Sequence, residues 1–288
     1  MLQPIKAGAE SRYFSTRLRA FPLTSRVIVN RIWQWHFSEG LVRTPNNFGI
    51  VGEPPTNPEQ LDYLARQLVE RGWSIKAMHK LIMLSSTYQM SSQASVEALK
   101  ADGSNRLWSR FARRRLSVEE MRDTLLALDG TLDLTLGGVV STPGGRRGRA
   151  NAEDFLRRTV YVPVNRTNIP SMLTLFDFGD ASQSWAKRGE TNTAPQALYL
   201  MNNQFVHNRA DAFAQFLLSD GGASDPARIE RAYRIALGRN PRPEESEAAL
   251  EFIQGYPAKD AVADAIPRPA WLSLCKTLIA SNEFHYVD

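Results

Sequence analysis

Apolar residues recur at helical spacing through most of the chain. The recurrence is broken by Pro-, Gly- and Asn-rich stretches rather than by alternating strand-like runs. Residues 21–88 read as helix, irregular connector, helix, helix, with aromatics in every piece. From Val27 to Phe37, Ile28, Ile32 and Trp35 mark one face and Val29, Trp33 and Phe37 an adjacent one. So wide an apolar arc predicts a largely buried helix. Thr24 or Ser25 caps it, and Gly40 is placed to end it as a left-handed C-cap. The connector that follows holds Pro45, Gly49, Gly52, Pro54, Pro55 and Pro58, which forbids regular helix or central strand. Asn57 caps the next helix, with Leu61, Leu64, Ala65, Leu68 and Val69 as its stripe and Gly72 as its stop. Ser74 caps a third helix with Ile75, Met78, Leu81, Ile82 and Leu84 inward, and the short loop between the two predicts an antiparallel hairpin.

Leu107, Trp108 and Phe111 also have helical spacing, and Ser117 with Glu120 forms a capping box for a helix over 118–128. Arg158 to Val164 is the β-type run, β-branched and aromatic, which Pro163 demotes to an edge strand or an isolated extended segment. Further helices are predicted near 172–178, from Thr193 with a break at Asn202–Asn203, from Pro226 to Gly238, from Pro243, and from Trp271 to Ile279. The pattern therefore predicts a mainly α protein. Two packed helical halves carry long irregular Pro/Gly/Asn-rich connectors, with at most a small β element near 158–164. Residues 1–20 read as a loose N-terminal arm, 21–128 as the N-terminal half and 129–157 as a flexible Gly/Arg-rich loop. Residues 158–288 form the C-terminal half, which could make one domain with 21–128.

Composition adds exclusions. The net charge of +5 arises from 35 Lys and Arg against 30 Asp and Glu, and the densest basic run, Arg106 to Arg122, is followed at once by acids. No basic face or tail of the kind a nucleic-acid binder concentrates is visible, so nucleic acid is not expected as a partner. One cysteine, Cys275, excludes an intrachain disulfide, a paired-cysteine zinc site and a C-x-x-C-H haem attachment. It sits in an apolar helical pattern and reads as a small buried hydrophobe. No apolar run approaches a membrane span, and no signal peptide is visible in the first twenty residues.

Candidate chemistry is sparse. His36, His79, His207 and His285 show no i, i+4 metal spacing and read as packing residues; no metal and no cofactor is expected. No nucleophile elbow, phosphate loop or dinucleotide fingerprint occurs. Asp177 and Asp180 flank a loop whose apolar approach could bury a carboxylate, near Trp185. Asn30, Arg31 and Gln34 are polar positions in an otherwise apolar helix, and Thr191 and Gln196 continue a polar set downstream. Buried polar groups need partners, so these residues either tie loops to the core or line a polar cleft.

Long strings resemble a known family. They include Pro22-Leu-Thr-Ser-Arg-Val-Ile-Val-Asn-Arg-Ile-Trp-Gln-Trp-His-Phe37, Gly40-Leu-Val-Arg-Thr-Pro-Asn-Asn-Phe-Gly49, Leu81-Ile-Met-Leu-Ser-Ser-Thr-Tyr88, Thr191-Asn-Thr-Ala-Pro-Gln-Ala-Leu198 and Ala232-Tyr-Arg-Ile-Ala-Leu-Gly-Arg239. Over residues 21–288 the chain resembles the planctomycete-specific domain of unknown function 1553, commonly the C-terminal part of proteins with cytochrome-c-like modules. The first twenty residues depart from that pattern, as a truncation or gene fragment would. The resemblance implies an exported parent protein of the periplasm or cell envelope, and it supplies no catalytic residues to carry over. Two functions follow as expectations. The first is a non-catalytic interaction or scaffold module serving neighbouring domains or envelope proteins. The second is a polysaccharide-binding or carbohydrate-active component using a polar cleft near Asp177 and Trp185. The first predicts Trp185 and Trp35 buried and the polar groups paired internally; the second predicts a concave cleft with converging carboxylates and an exposed Trp185 or Trp35.

Overall fold

A computed structural model describes residues 22–138, 153, 155–165, 169–180, 182–183, 185–256 and 268–287. The expected arm at 1–20 and residues 139–152 of the expected Gly/Arg-rich loop lie outside the described residues. The protein is mainly α, and its only sheet among the described residues pairs two strands of two residues. By compactness the chain divides into two units. One comprises the residues up to Arg114 together with Trp185–Lys187, and the other Arg115–Ser184 with Arg188–Val287.

The first unit is built on α1 (Pro22–Phe37), α2 (Pro58–Glu70), α3 (Ile75–Met83) and the short α4 (Val96–Ala101). Asn57 and Ser74 cap as the sequence predicts, the Asn57 side chain accepting from Gln60 N and Ser74 from Ala77 N, but α1 already begins at Pro22, so Thr24 and Ser25 lie within its first turn and do not cap it. Gly72, at φ 65°, turns the chain between α2 and α3. Val29, Ile32, Trp33 and Phe37 of α1 bury against Leu64, Leu68, Met78 and Ile82. Trp33 stacks on Phe37 at 4.3 Å between ring centroids, and Trp108 meets Trp33 edge-on at 5.2 Å. Such aromatic pairs contribute about 0.5–1.5 kcal/mol each beyond burial, which accounts for the aromatic density of this stretch.

Other local expectations change as well. Residues 105–111 form turns instead of a helical segment, because Asn105 and Trp108 have φ of 51° and 56°. Those turns bury Trp108 and Phe111 and leave Leu107 exposed. Ser38, at φ 63°, is the left-handed residue after α1; Gly40 is not. Gly40 is instead required by close approach, since a Cβ there would lie 2.6 Å from Asn30 Nδ2 and 2.6 Å from Val42 O. Ile75 and Leu84 are exposed at the two ends of α3, while Met78 and Ile82 form its buried face.

The second unit holds α5 (Val118–Ala127), α6 (Ser171–Leu175), α7 (Ala194–Asn202), α8 (Gln204–Leu218), α9 (Asp225–Leu237), α10 (Pro243–Gly255), α11 (Arg268–Ala280) and α12 (Asn282–His285). Helix α8 packs most extensively on α11, through Phe213, Leu217, Trp271, Cys275 and Ile279. Ser117 and Glu120 form the predicted capping box of α5, Asn203 breaks α7 from α8, and Gly238 ends α9 at φ 71°. The β-type run at 158–164 contains a 3-10 turn, Thr159–Tyr161. Asp123 holds it by accepting from Thr159 N at 2.7 Å, and the buried Arg122 donates to Arg157 O and Thr159 Oγ1. Side-chain partners take the place of a sheet neighbour there. The strands lie elsewhere: β1 (Arg114–Arg115) pairs with β2 (Tyr286–Val287), and beside them Leu116 N donates to His285 O at 2.8 Å.

Candidate functional site

The predicted polar residues fall into two networks, one per unit. In the first, α1 presents Asn30, Arg31 and Gln34 from neighbouring turns. Asn30 has no exposed surface; its Oδ1 accepts from Val42 N at 2.8 Å and its Nδ2 donates to Val42 O at 3.0 Å. The amide thus serves both backbone groups of a residue that is itself buried. Arg31 donates to Ala186 O at 2.7 Å and to Asn46 Oδ1. Gln34 Nε2 donates to the same Ala186 carbonyl at 3.1 Å. Lys187 adds an ion pair with Glu39 at 2.7 Å. Three polar side chains of one helix therefore hold the loop at 42–46 and the segment around Ala186. Trp185 is half-exposed beside that anchor, and Trp35 is 62% exposed on α1.

In the second unit Asp177, itself at φ 62°, accepts from Arg115 Nη2 at 2.8 Å, Thr191 N at 2.9 Å and Thr191 Oγ1 at 2.8 Å. Burial pushes its pKa up, but the Thr191 donors and the Arg115 guanidinium outweigh burial and hold it below the usual carboxylate value. Gln196 is buried. Its Nε2 donates to Leu175 O at 2.9 Å and Thr191 Oγ1 at 3.1 Å, and its Oε1 accepts from Thr193 N at 3.0 Å. Asp177, Thr191 and Gln196 thus share one network that pins the residues leading into α7. Asp180 is exposed and accepts from Ser182 N at 2.8 Å, as a turn-former does. A carboxylate saturated with donors and held ionised is a poor general acid, so this network suits anchoring better than proton transfer.

Sequence reasoning did not single out Arg115 as the partner of Asp177, because it lies in a run of three arginines with no local signal to separate them. The histidine pair was equally hidden: His36 Nε2 lies 2.8 Å from His79 Nδ1 although the two are far apart in sequence. Burial, His79 and Arg114 together push His36 down to about 4. No group of three or more His, Cys, Asp or Glu suited to a metal ion occurs among the described residues. Cys275 is buried, and burial raises its thiol pKa well above the ordinary value, which makes it unreactive. No helix among the described residues is long and apolar enough to cross a membrane.

The model of a family described as PSD1, protein of unknown function (DUF1553), matches residues 17–253. No curated protein and no solved structure matches the chain.

Proposed function

Since the chain belongs to the DUF1553 family of proteins of unknown function, we propose from its own surface that it is a non-catalytic interaction or scaffold module. Its partners are neighbouring domains of an exported parent protein or other proteins of the cell envelope. The observation that carries this reading is the loop tip at Ile50 and Val51. Both side chains are almost fully exposed, at 105% and 89%. The loop beneath them is nonetheless tied by its own hydrogen bonds. Asn47 N donates to Thr44 O at 2.8 Å, Gly52 N to Gly49 O at 2.9 Å and Glu53 N to Thr44 Oγ1 at 3.0 Å. A Cβ at Gly52 would lie 2.0 Å from Asn47 O, so the turn depends on glycine there. A pre-ordered loop presenting two β-branched apolar side chains loses little entropy on docking, which favours protein association. The polar residues that would otherwise furnish a cleft are engaged in holding loops, in keeping with the same reading.

The test is a titration of the purified chain with the separately produced cytochrome-c-like module of such a parent protein. We expect measurable binding that Ile50→Asp with Val51→Asp weakens by at least about tenfold, with an unchanged melting temperature. Wild-type-like binding by that variant, or no binding at all, sinks the proposal. A second reading, polysaccharide binding, is favoured by the exposure of Trp185 and Trp35, since sugars stack on tryptophan faces. It predicts retention on polysaccharide affinity gels that Trp185→Ala abolishes.

A further inference from the structure

A groove of about 440 Å³ opens in the second unit, away from the Ile50–Val51 tip in sequence and independent of the proposal built on it. That size lies within the range of small-molecule sites. Its walls are apolar: Leu116, Met121, Phe176, Leu200 and Met201 contribute to them. Its polar residues include Arg115, Asn192 and His285. Two of these differ sharply in what they have left to offer. Arg115 already donates to Asp177 Oδ2 and to Thr191 O, so it is paired with a carboxylate and anchored away from a new partner. His285 is only 8% exposed, its ring hydrogen-bonds the backbone of Ile279, and its Nε2 has no hydrogen-bond partner.

We infer that this groove is a binding site for a small uncharged amphiphile, an apolar body carrying one hydroxyl or amide N–H, with His285 Nε2 accepting that hydrogen. The chemistry follows from what the groove lacks. A ring that donates to the Ile279 carbonyl through Nδ1 keeps a lone pair on Nε2, so the missing partner is a donor. A cationic donor is disfavoured by the Arg115 guanidinium nearby, whose field also disfavours a protonated His285. An anion has no free cation to pair with, because Asp177 occupies Arg115. An uncharged donor on an apolar body suits both the apolar lining and the open Nε2.

The experiment uses the full chain labelled with ¹³C at methionine methyls and ¹⁵N at histidine. Benzyl alcohol, toluene and benzoate are titrated in turn. Met121 and Met201 report the groove, and Met78, buried in the first unit, is the internal reference. We expect benzyl alcohol to shift the Met121 and Met201 methyls, to move the His285 Nε2 resonance, and to bind about tenfold more tightly than toluene. The substitution His285→Phe brings that ratio close to one. Equal binding of toluene and benzyl alcohol by the wild type overturns the inference, as does a preference for benzoate. So does the absence of any shift at Met121 and Met201 with millimolar alcohol. If His285→Phe does not fold, the wild-type Nε2 resonance decides, since alcohol must move it and toluene must not.

Discussion

Asn30 is the residue on which the connector after α1 depends. Its amide meets both polar backbone groups of Val42, and the close approach of Gly40 leaves no room for another arrangement. Asn30→Leu would strand a buried N–H and a buried carbonyl together. Each such loss costs roughly 1–3 kcal/mol, so the variant should be destabilised by about 3 kcal/mol in urea unfolding, whereas an exposed asparagine such as Asn208 changed to Leu should lose almost nothing. His285, with His36, contributes to the response to acid. Burial lowers His285 to about 4, against 6.5 for a free imidazole, and the Arg115 charge works in the same direction. The unfolded chain therefore binds a proton between those values that the folded chain does not. Stability from this group is complete above about pH 6.5 and is lost as pH falls toward 4. The loss is on the order of 3 kcal/mol at most. Melting temperatures measured in steps from pH 7 to pH 4.5 should fall less steeply for His285→Phe than for the wild type; parallel curves would refute this.

At the scale of elements, what was legible in the sequence is what is decided within one turn of helix. Asn57, Ser74 and Ser117 bond to backbone three residues away, so a cap can be read without knowing the fold. Gly238 and Gly72 stop helices through their own φ. Where the deciding contact lies far along the chain, local reading fails. The spacing of Leu107, Trp108 and Phe111 suits a helix, yet Trp33 and Phe37 pull two of those rings into the aromatic cluster through positive-φ turns. The run at 158–164 has strand-like residues, but α5 supplies Arg122 and Asp123 where a sheet would supply a neighbouring strand. The candidate site divides the same way. Polar residues inside an apolar helix mark Asn30, Arg31 and Gln34 as needing partners. The partner of two of them is a carbonyl about 150 residues away, and no spacing rule reaches that far.

For the whole molecule, the membership of Trp185–Lys187 in the first unit is the organising fact, because the residues on both sides of it belong to the second. Arg31 and Gln34 hold this segment through one carbonyl, Ala186 O, and Glu39 holds Lys187. Removing both carbonyl donors, as Arg31→Ala with Gln34→Ala, should free the backbone for protease docking. Trypsin should then cut after Lys187 or Arg188 at least several-fold faster than in the wild type, as mass spectrometry of a digestion series would reveal; an unchanged cleavage rate would show that the segment is held by something else. The pairing of Leu116 with His285 has a counterpart during synthesis. A ribosome adds roughly 5–20 residues per second, so the amide of Leu116 emerges on the order of ten seconds before the carbonyl it will meet. Through that interval Met121 and Leu125 lack the part of their core that the last helices supply. The nascent chain is thus open to aggregation until its last helices emerge, and a cell short of holding chaperones should lose this protein at translation and not after folding.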